Sequence, residues 1–172
     1  PEDLQSLVML NAENMDIGSI NGIQCLTGLK FVNLKKNNIQ DISPLNELTL
    51  LQRLDLGMNR IENLSALSHM NNLEILDLSD NMVVDLSDVA AMSKLTFLDL
   101  TFNSVKELSP LSSMTQLTHL YLYDNKIEDI SPISALVDLV HLTLSTNRIS
   151  DISPIANLNK LTVLTLSFNP IK

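Results

Sequence analysis

The 172-residue sequence has no tryptophan, only two tyrosines and four phenylalanines, and a single cysteine. One cysteine, Cys25, excludes an internal disulfide, so packing and hydrogen bonds alone must hold the fold. So little cysteine fits the cytosol and fits many exported bacterial proteins equally, which leaves the compartment open. With aromatics at 3%, leucine and isoleucine have to fill the core. Four glycines and six prolines are too few for a flexible, linker-rich chain. No apolar run approaches the ~20 residues that a bilayer span needs, so no membrane insertion of this segment is expected. Nor does the start of the chain carry the charged-then-apolar pattern of a secretion signal, and Pro1 without a leading Met suggests that upstream sequence was removed. Positive charge is scarce as well: 11 Lys and Arg against 20 Asp and Glu leave a net charge of −9. Nucleic acid is therefore excluded as a partner, because neutralising phosphates takes clustered basic residues.

What the sequence does have is 45% hydrophobic residues in a strict period. Stepping by 22 from Asn37 gives Asn59, Asn81, Asn103, Asn125, Asn147 and Asn169. Eight residues before each stands a leucine, from Leu29 to Leu161. Five before come Val32, Leu54, Leu76, Leu98, Leu120, Leu142 and Leu164, and three before is always leucine, from Leu34 to Leu166. Two after come Ile39, Ile61, Val83, Val105, Ile127, Ile149 and Ile171. Each unit reads L-x-x-L-x-L-x-x-N-x-I, the pattern of a leucine-rich repeat. An earlier, degenerate unit fits the same frame, with Ala12 and Met15 in place of Leu and Asn.

The L-x-L alternation predicts a short strand with its leucines pointing inward, and stacked units predict a parallel sheet. Each Asn, buried and polar, is expected to bond the backbone of neighbouring coils as a ladder. In the second half of the units, Ser43-Pro44, Ser109-Pro110, Ser131-Pro132 and Ser153-Pro154 read as helix starts, with Ser as the cap and Pro in the first turn. Few residues remain before the next strand, so a 3₁₀ turn is expected rather than an α-helix. Met70, Met92 and Met114 read as core filler. The fold class is thus an α/β repeat solenoid: a leucine-rich repeat with the sheet on the concave side and 3₁₀ turns on the convex side. A single domain of about eight units is expected over residues 1–172.

The turn segments Asp41-Ile42-Ser43-Pro44-Leu45, Asp129-Ile130-Ser131-Pro132-Ile133 and Asp151-Ile152-Ser153-Pro154-Ile155 resemble the repeat of bacterial internalins. That resemblance implies a secreted or cell-surface bacterial protein that binds host proteins on its concave sheet. Internalins carry a helical cap before the repeats and an immunoglobulin-like domain after them. Here the repeats begin within about six residues and run to Pro170-Ile171-Lys172. Because repeat arrays need polar caps, the chain is expected to be a fragment without them.

Outward positions on the sheet fall six, four and two residues before each Asn. The first column reads Phe31, Arg53, Ile75, Phe97, His119, His141, Val163. The second reads Asn33, Asp55, Asp77, Asp99, Tyr121, Thr143, Thr165, and the third Lys35, Gly57, Ser79, Thr101, Tyr123, Ser145, Ser167. All six aromatics fall on this segment, if Phe102 and Phe168, one residue before their Asn, are included. In a chain so poor in aromatics this placement predicts a binding face, because aromatic anchors dominate interface energetics. The face divides by charge. Lys30, Lys35, Lys36 and Arg53 make one end basic, while Asp55, Glu74, Asp77, Asp80 and Asp99 make the middle acidic. His119, Tyr121, Tyr123 and His141 form an amphipathic patch at the other end.

Partner-binding candidates are therefore Phe31, Arg53, Asp55, Asp77, Phe97, Asp99, His119, Tyr121, Tyr123 and His141. Asp77 and Asp99, on adjacent strands, have the spacing of a glycosidase carboxylate pair, but a shallow sheet offers no enclosed pocket to desolvate one acid. Strand carboxylates alone supply too few ligands for a cation, and His119 with His141 lacks a third ligand for zinc. No enzyme activity, metal or cofactor is expected. The leading reading is a protein-binding module, an adhesin or invasin domain. The alternative is a structural scaffold or intracellular interaction protein whose concave face binds nothing specific.

Overall fold

The structure, a computed structural model, describes residues 2–172. Each L-x-L centre becomes a three-residue strand: β1 (Met9–Asn11), β2 (Phe31–Asn33), β3 (Arg53–Asp55), β4 (Ile75–Asp77), β5 (Phe97–Asp99), β6 (His119–Tyr121), β7 (His141–Thr143) and β8 (Val163–Thr165). Alternation turns the central residue inward and its two neighbours outward. From Val32 to Leu142 these centres are at most 2% exposed. Burying each such side chain is worth about 1.5–3 kcal/mol, which is why the pattern tolerates so little variation. The strands pair in parallel, β1 to β8 in chain order, in one open sheet. The register places Phe97 opposite His119 and Asp99 opposite Tyr121, so columns in the repeat become rows across the sheet.

Opposite the sheet run 3₁₀ turns: Ile23–Cys25, Ser43–Glu47, Ser65–Leu67, Ser87–Val89, Ser109–Leu111, Ser131–Ala135 and Ser153–Asn157. Leu45, Leu67, Val89, Leu111 and Ile133 of these turns are fully buried against the strands, and Met70, Met92 and Met114 fill the space after them at no more than 1% exposure. The arrangement is the leucine-rich-repeat solenoid that the period predicts. The turn starts differ from expectation in one respect. Ser is not the cap but the first residue of the turn, preceded by Ile42, Leu108, Ile130 or Ile152 with no capping side chain. Capping comes from the acid two residues before the Ser: the N–H groups of Ser43, Ser87, Ser131 and Ser153 donate to Asp41, Asp85, Asp129 and Asp151 at 2.8–2.9 Å. The Ser43 and Ser153 amides and hydroxyls hold the exposed Asp41 and Asp151 carboxyls below the usual range.

The Asn ladder forms with one geometry throughout. Asn103 Oδ1 accepts from the Val83 N–H at 2.8 Å in the preceding coil, while Nδ2 donates to the Leu78 carbonyl at 2.9 Å and to the Leu100 carbonyl at 3.1 Å. Asn125 and Asn147 repeat these bonds one and two coils on. One amide thus satisfies three backbone groups that the tight turn leaves inside. Pinning the carbonyls on both sides of the turn forces the residue before the Asn into the left-handed region. Lys36, Met58, Asp80, Phe102, Asp124, Thr146 and Phe168 all have φ between 52° and 58°. None is glycine, so each accepts about 1–2 kcal/mol of local strain.

Candidate functional site

The open face of the sheet carries the first two outward columns, and the candidate residues there fall into three groups. At the β1 end, Phe31 and Arg53 border an open hollow of about 440 Å³, which Met9, Asp55, Glu74 and Ile75 also line. Arg53 also borders a second hollow with Asp55, Asp77 and Phe97, and its charge acts on Asp55.

In the middle lie Asp55, Asp77 and Asp99, opposite one another on β3, β4 and β5. Each closes a local turn: Asp55 Oδ1 accepts from the Gly57 N–H at 3.2 Å, Asp77 from Ser79 at 2.8 Å and Asp99 from Thr101 at 2.8 Å. Asn33, in the same column of β2, accepts from Lys35 in the same way. Sequence reasoning gave these acids a charge role and missed this backbone role. A short polar side chain recurring two residues before a chain reversal was the available signal.

The charge zones expected from the sequence are not separate. Lys35 Nζ reaches Asp77 at 3.0 Å, two strands away and past Gly57. A Cβ at Gly57 would sit 2.8 Å from Ser79 Oγ and 3.1 Å from both Asp77 carboxylate oxygens, so the missing side chain is what lets these groups close up. Burial alone would push the Asp77 carboxyl up, but the Ser79 hydroxyl and amide and the Lys35 ammonium together hold it below the usual range. Asp55 goes the other way, raised by burial and by the charge of Asp77.

The third group is aromatic. Phe97, His119 and Tyr121 form a triangle of rings with centroids 6.0 Å, 5.3 Å and 6.3 Å apart. His141 extends it, stacked on His119 at 4.7 Å and 12°. Tyr123 packs edge-on against Phe102 at 5.1 Å. Tyr123 lies beyond β6, and Phe102 and Phe168 lie beyond their strands in the left-handed turn positions, a correction to their expected place on the strand segment. That turn nevertheless aims Phe102 back at Tyr123, and the two form a second ring pair. His119 Nδ1 lies 2.9 Å from Thr118 Oγ1, and burial, with the charge of His141, keeps its imidazole below the usual histidine range. His141 Nδ1 is buried without a hydrogen-bond partner. Among the described residues, no three His, Cys, Asp or Glu are grouped to hold a metal ion, and no helix is long and apolar enough to cross a membrane.

A rigid solenoid with an open, partly aromatic sheet face defines the class: a leucine-rich-repeat interaction scaffold. Family models for leucine-rich repeats match residues 49–91, 93–135 and 115–171. Among solved structures, the chain is similar to an internalin (inlF) from Listeria monocytogenes, at 40% identity and a TM-score of 0.97, over 99% of this chain and 51% of that one. It is also similar to an internalin C2 (inlC2) from the same species, at 34% identity and a TM-score of 0.82, over 96% of this chain and 83% of that one. The chain belongs to the internalin family of leucine-rich-repeat proteins. A leucine-rich-repeat protein of Leptospira interrogans, 22% identical with a TM-score of 0.77, shares the fold alone. Among curated proteins none matches.

Proposed function

We propose that this chain binds a protein partner on the open face of its sheet, as the recognition segment of a bacterial surface or secreted protein acting in adhesion or invasion. The observation that carries the reading is the concentration of rings. A chain with 3% aromatics commits Phe97 and Tyr121, with His119 and His141, to one ring cluster and Tyr123 with Phe102 to a second, on coils that also carry half-buried carboxylates. Rings with polar tips, fixed by mutual packing, lose little conformational freedom on binding, which is the composition of interface hot spots. Phe31, Arg53, Asp55 and Asp77 lie toward the β1 end and would orient the partner more than anchor it. The surface or secreted setting is supported by membership of the internalin family. Because the same histidines and acids lie on an open sheet, with no enclosure to desolvate a reacting group, the reading is binding rather than catalysis.

The test begins with capture of partners from host and bacterial extracts on the immobilised chain, followed by affinity measurements on variants. Tyr121→Ala and Tyr123→Ala should each lose about 2 kcal/mol or more of binding energy, while Glu107→Ala and Lys160→Ala on the turn side should bind as wild type. Wild-type affinity in both tyrosine variants, with loss in the turn-side pair, would place the interface elsewhere.

A further inference from the structure

Three carboxylates stand in a row across β3, β4 and β5, yet their positive charge is unevenly supplied. Asp77 has Lys35 at 3.0 Å. Asp55 shares its strand with Arg53, whose charge it feels together with that of Lys35. Among the described residues, no cation stands within ion-pair distance of Asp99. The nearby imidazole of His119 does not fill the gap, since burial favours its neutral form. Asp99 keeps one oxygen on the Thr101 N–H and lies opposite Tyr121, whose ring stands 5.3 Å from that of Phe97 on Asp99's own strand. Burial, with the charge of Asp77, raises the Asp99 carboxyl, and Lys35, bonded to Asp77, acts on it only at a distance through its charge. A carboxylate on the strand of Phe97 and opposite Tyr121 is complementary to a planar cation that can stack and pair at once. Arginine fits this better than lysine, because its guanidinium lies flat on aromatic faces and offers parallel donors to a carboxylate. A net charge of −9 would steer a basic partner toward the molecule.

We infer that the partner is a basic protein segment that seats an arginine on Asp99, its guanidinium lying against Tyr121 and Phe97; this rests on the sheet-face reading proposed above. The probe is a random dodecapeptide library displayed on phage and selected on the full chain, with the recovered peptides synthesised and their affinities measured. Asp99→Asn should fold normally, because Asn33 makes the same turn bond in the same column of β2. The recovered peptides should be enriched in arginine beside apolar residues and weaken with rising salt. Their affinity should fall at least about tenfold for Asp99→Asn, and also when the peptide arginine becomes citrulline. Peptides that lose binding to Tyr121→Ala but are indifferent to Asp99→Asn and poor in basic residues would overturn this inference and leave the sheet-face reading intact. A set indifferent to both substitutions, or no recovered peptides, would overturn both.

Discussion

The two sides of each strand obey opposite rules. Inward, the sequence says the same thing coil after coil: Leu54, Leu76, Leu98, Leu120 and Leu142 are all fully buried. Outward on the same strands it varies, passing from Arg53 through Ile75 and Phe97 to two histidines. Because the flanking residues ride on a ladder fixed by the inward ones, the outer face can change without disturbing the register. The fold therefore resides in what is repeated, and recognition in what is not.

The sharpest way to break this contrast is to truncate neighbours that point in opposite directions. Leu54→Ala leaves a cavity in a core with no exposed surface at that position, and should cost about 2–5 kcal/mol of stability. Arg53→Ala, one residue away and exposed, should stay within about 0.5 kcal/mol of wild type. Urea denaturation of both variants decides it, and equal losses would mean that the outer face also carries the fold.

The same contrast explains what could be read without coordinates. The 22-residue period yields strand centres, register, the Asn ladder and the outward columns, because each is a repeated answer to one packing problem. Other features stayed hidden, each for its own reason. The Lys35–Asp77 pair joins residues two coils apart and needs Gly57 between them, a coincidence no repeat pattern displays. The capping role of Asp41 and its equivalents was masked by the serine two residues on, which matches the usual cap preference but sits one position too late. The aim of Phe102 at Tyr123 follows from a left-handed turn that no glycine advertises.

A second prediction tests whether a polar residue can belong to the repeated side. Asn103→Ala would leave the Val83 N–H and the Leu78 and Leu100 carbonyls without their side-chain partner between two coils. The expected loss is about 1–3 kcal/mol, between those of Leu54→Ala and Arg53→Ala. Asn125→Ala, with the same three kinds of bond, should match it. Wild-type denaturation midpoints in both would show that water replaces the ladder at no cost, and would remove Asn from the residues that define the fold.

The smallest effect is the most informative about the outer face, because it has opposite signs on adjacent strands. Burial holds the Asp99 carboxyl above the ordinary range in the folded state, partly offset by the Thr101 hydroxyl and amide, with the charge of Asp77 adding to the rise. The folded state therefore binds that proton more tightly than the unfolded chain does. Ionised Asp99 costs stability at every pH above its folded-state pKa, and the cost vanishes as pH falls toward the unfolded value near ~3.9. Asp77 has the reverse sign: its carboxyl is held low despite burial, so its contribution is present above the unfolded pKa and lost as pH falls through the folded one. Asp99→Asn should accordingly raise the urea midpoint slightly at neutral pH, and Asp77→Asn, which also gives up the ion pair with Lys35, should lower it. Both differences should shrink in acid. If Asp99→Asn is instead the less stable variant at neutral pH, its carboxylate serves the fold as Asp77 does. If the signs come out opposed, Asp99 is a charge that the repeat tolerates at a loss, which is the cost expected of a carboxylate kept for a partner on the face.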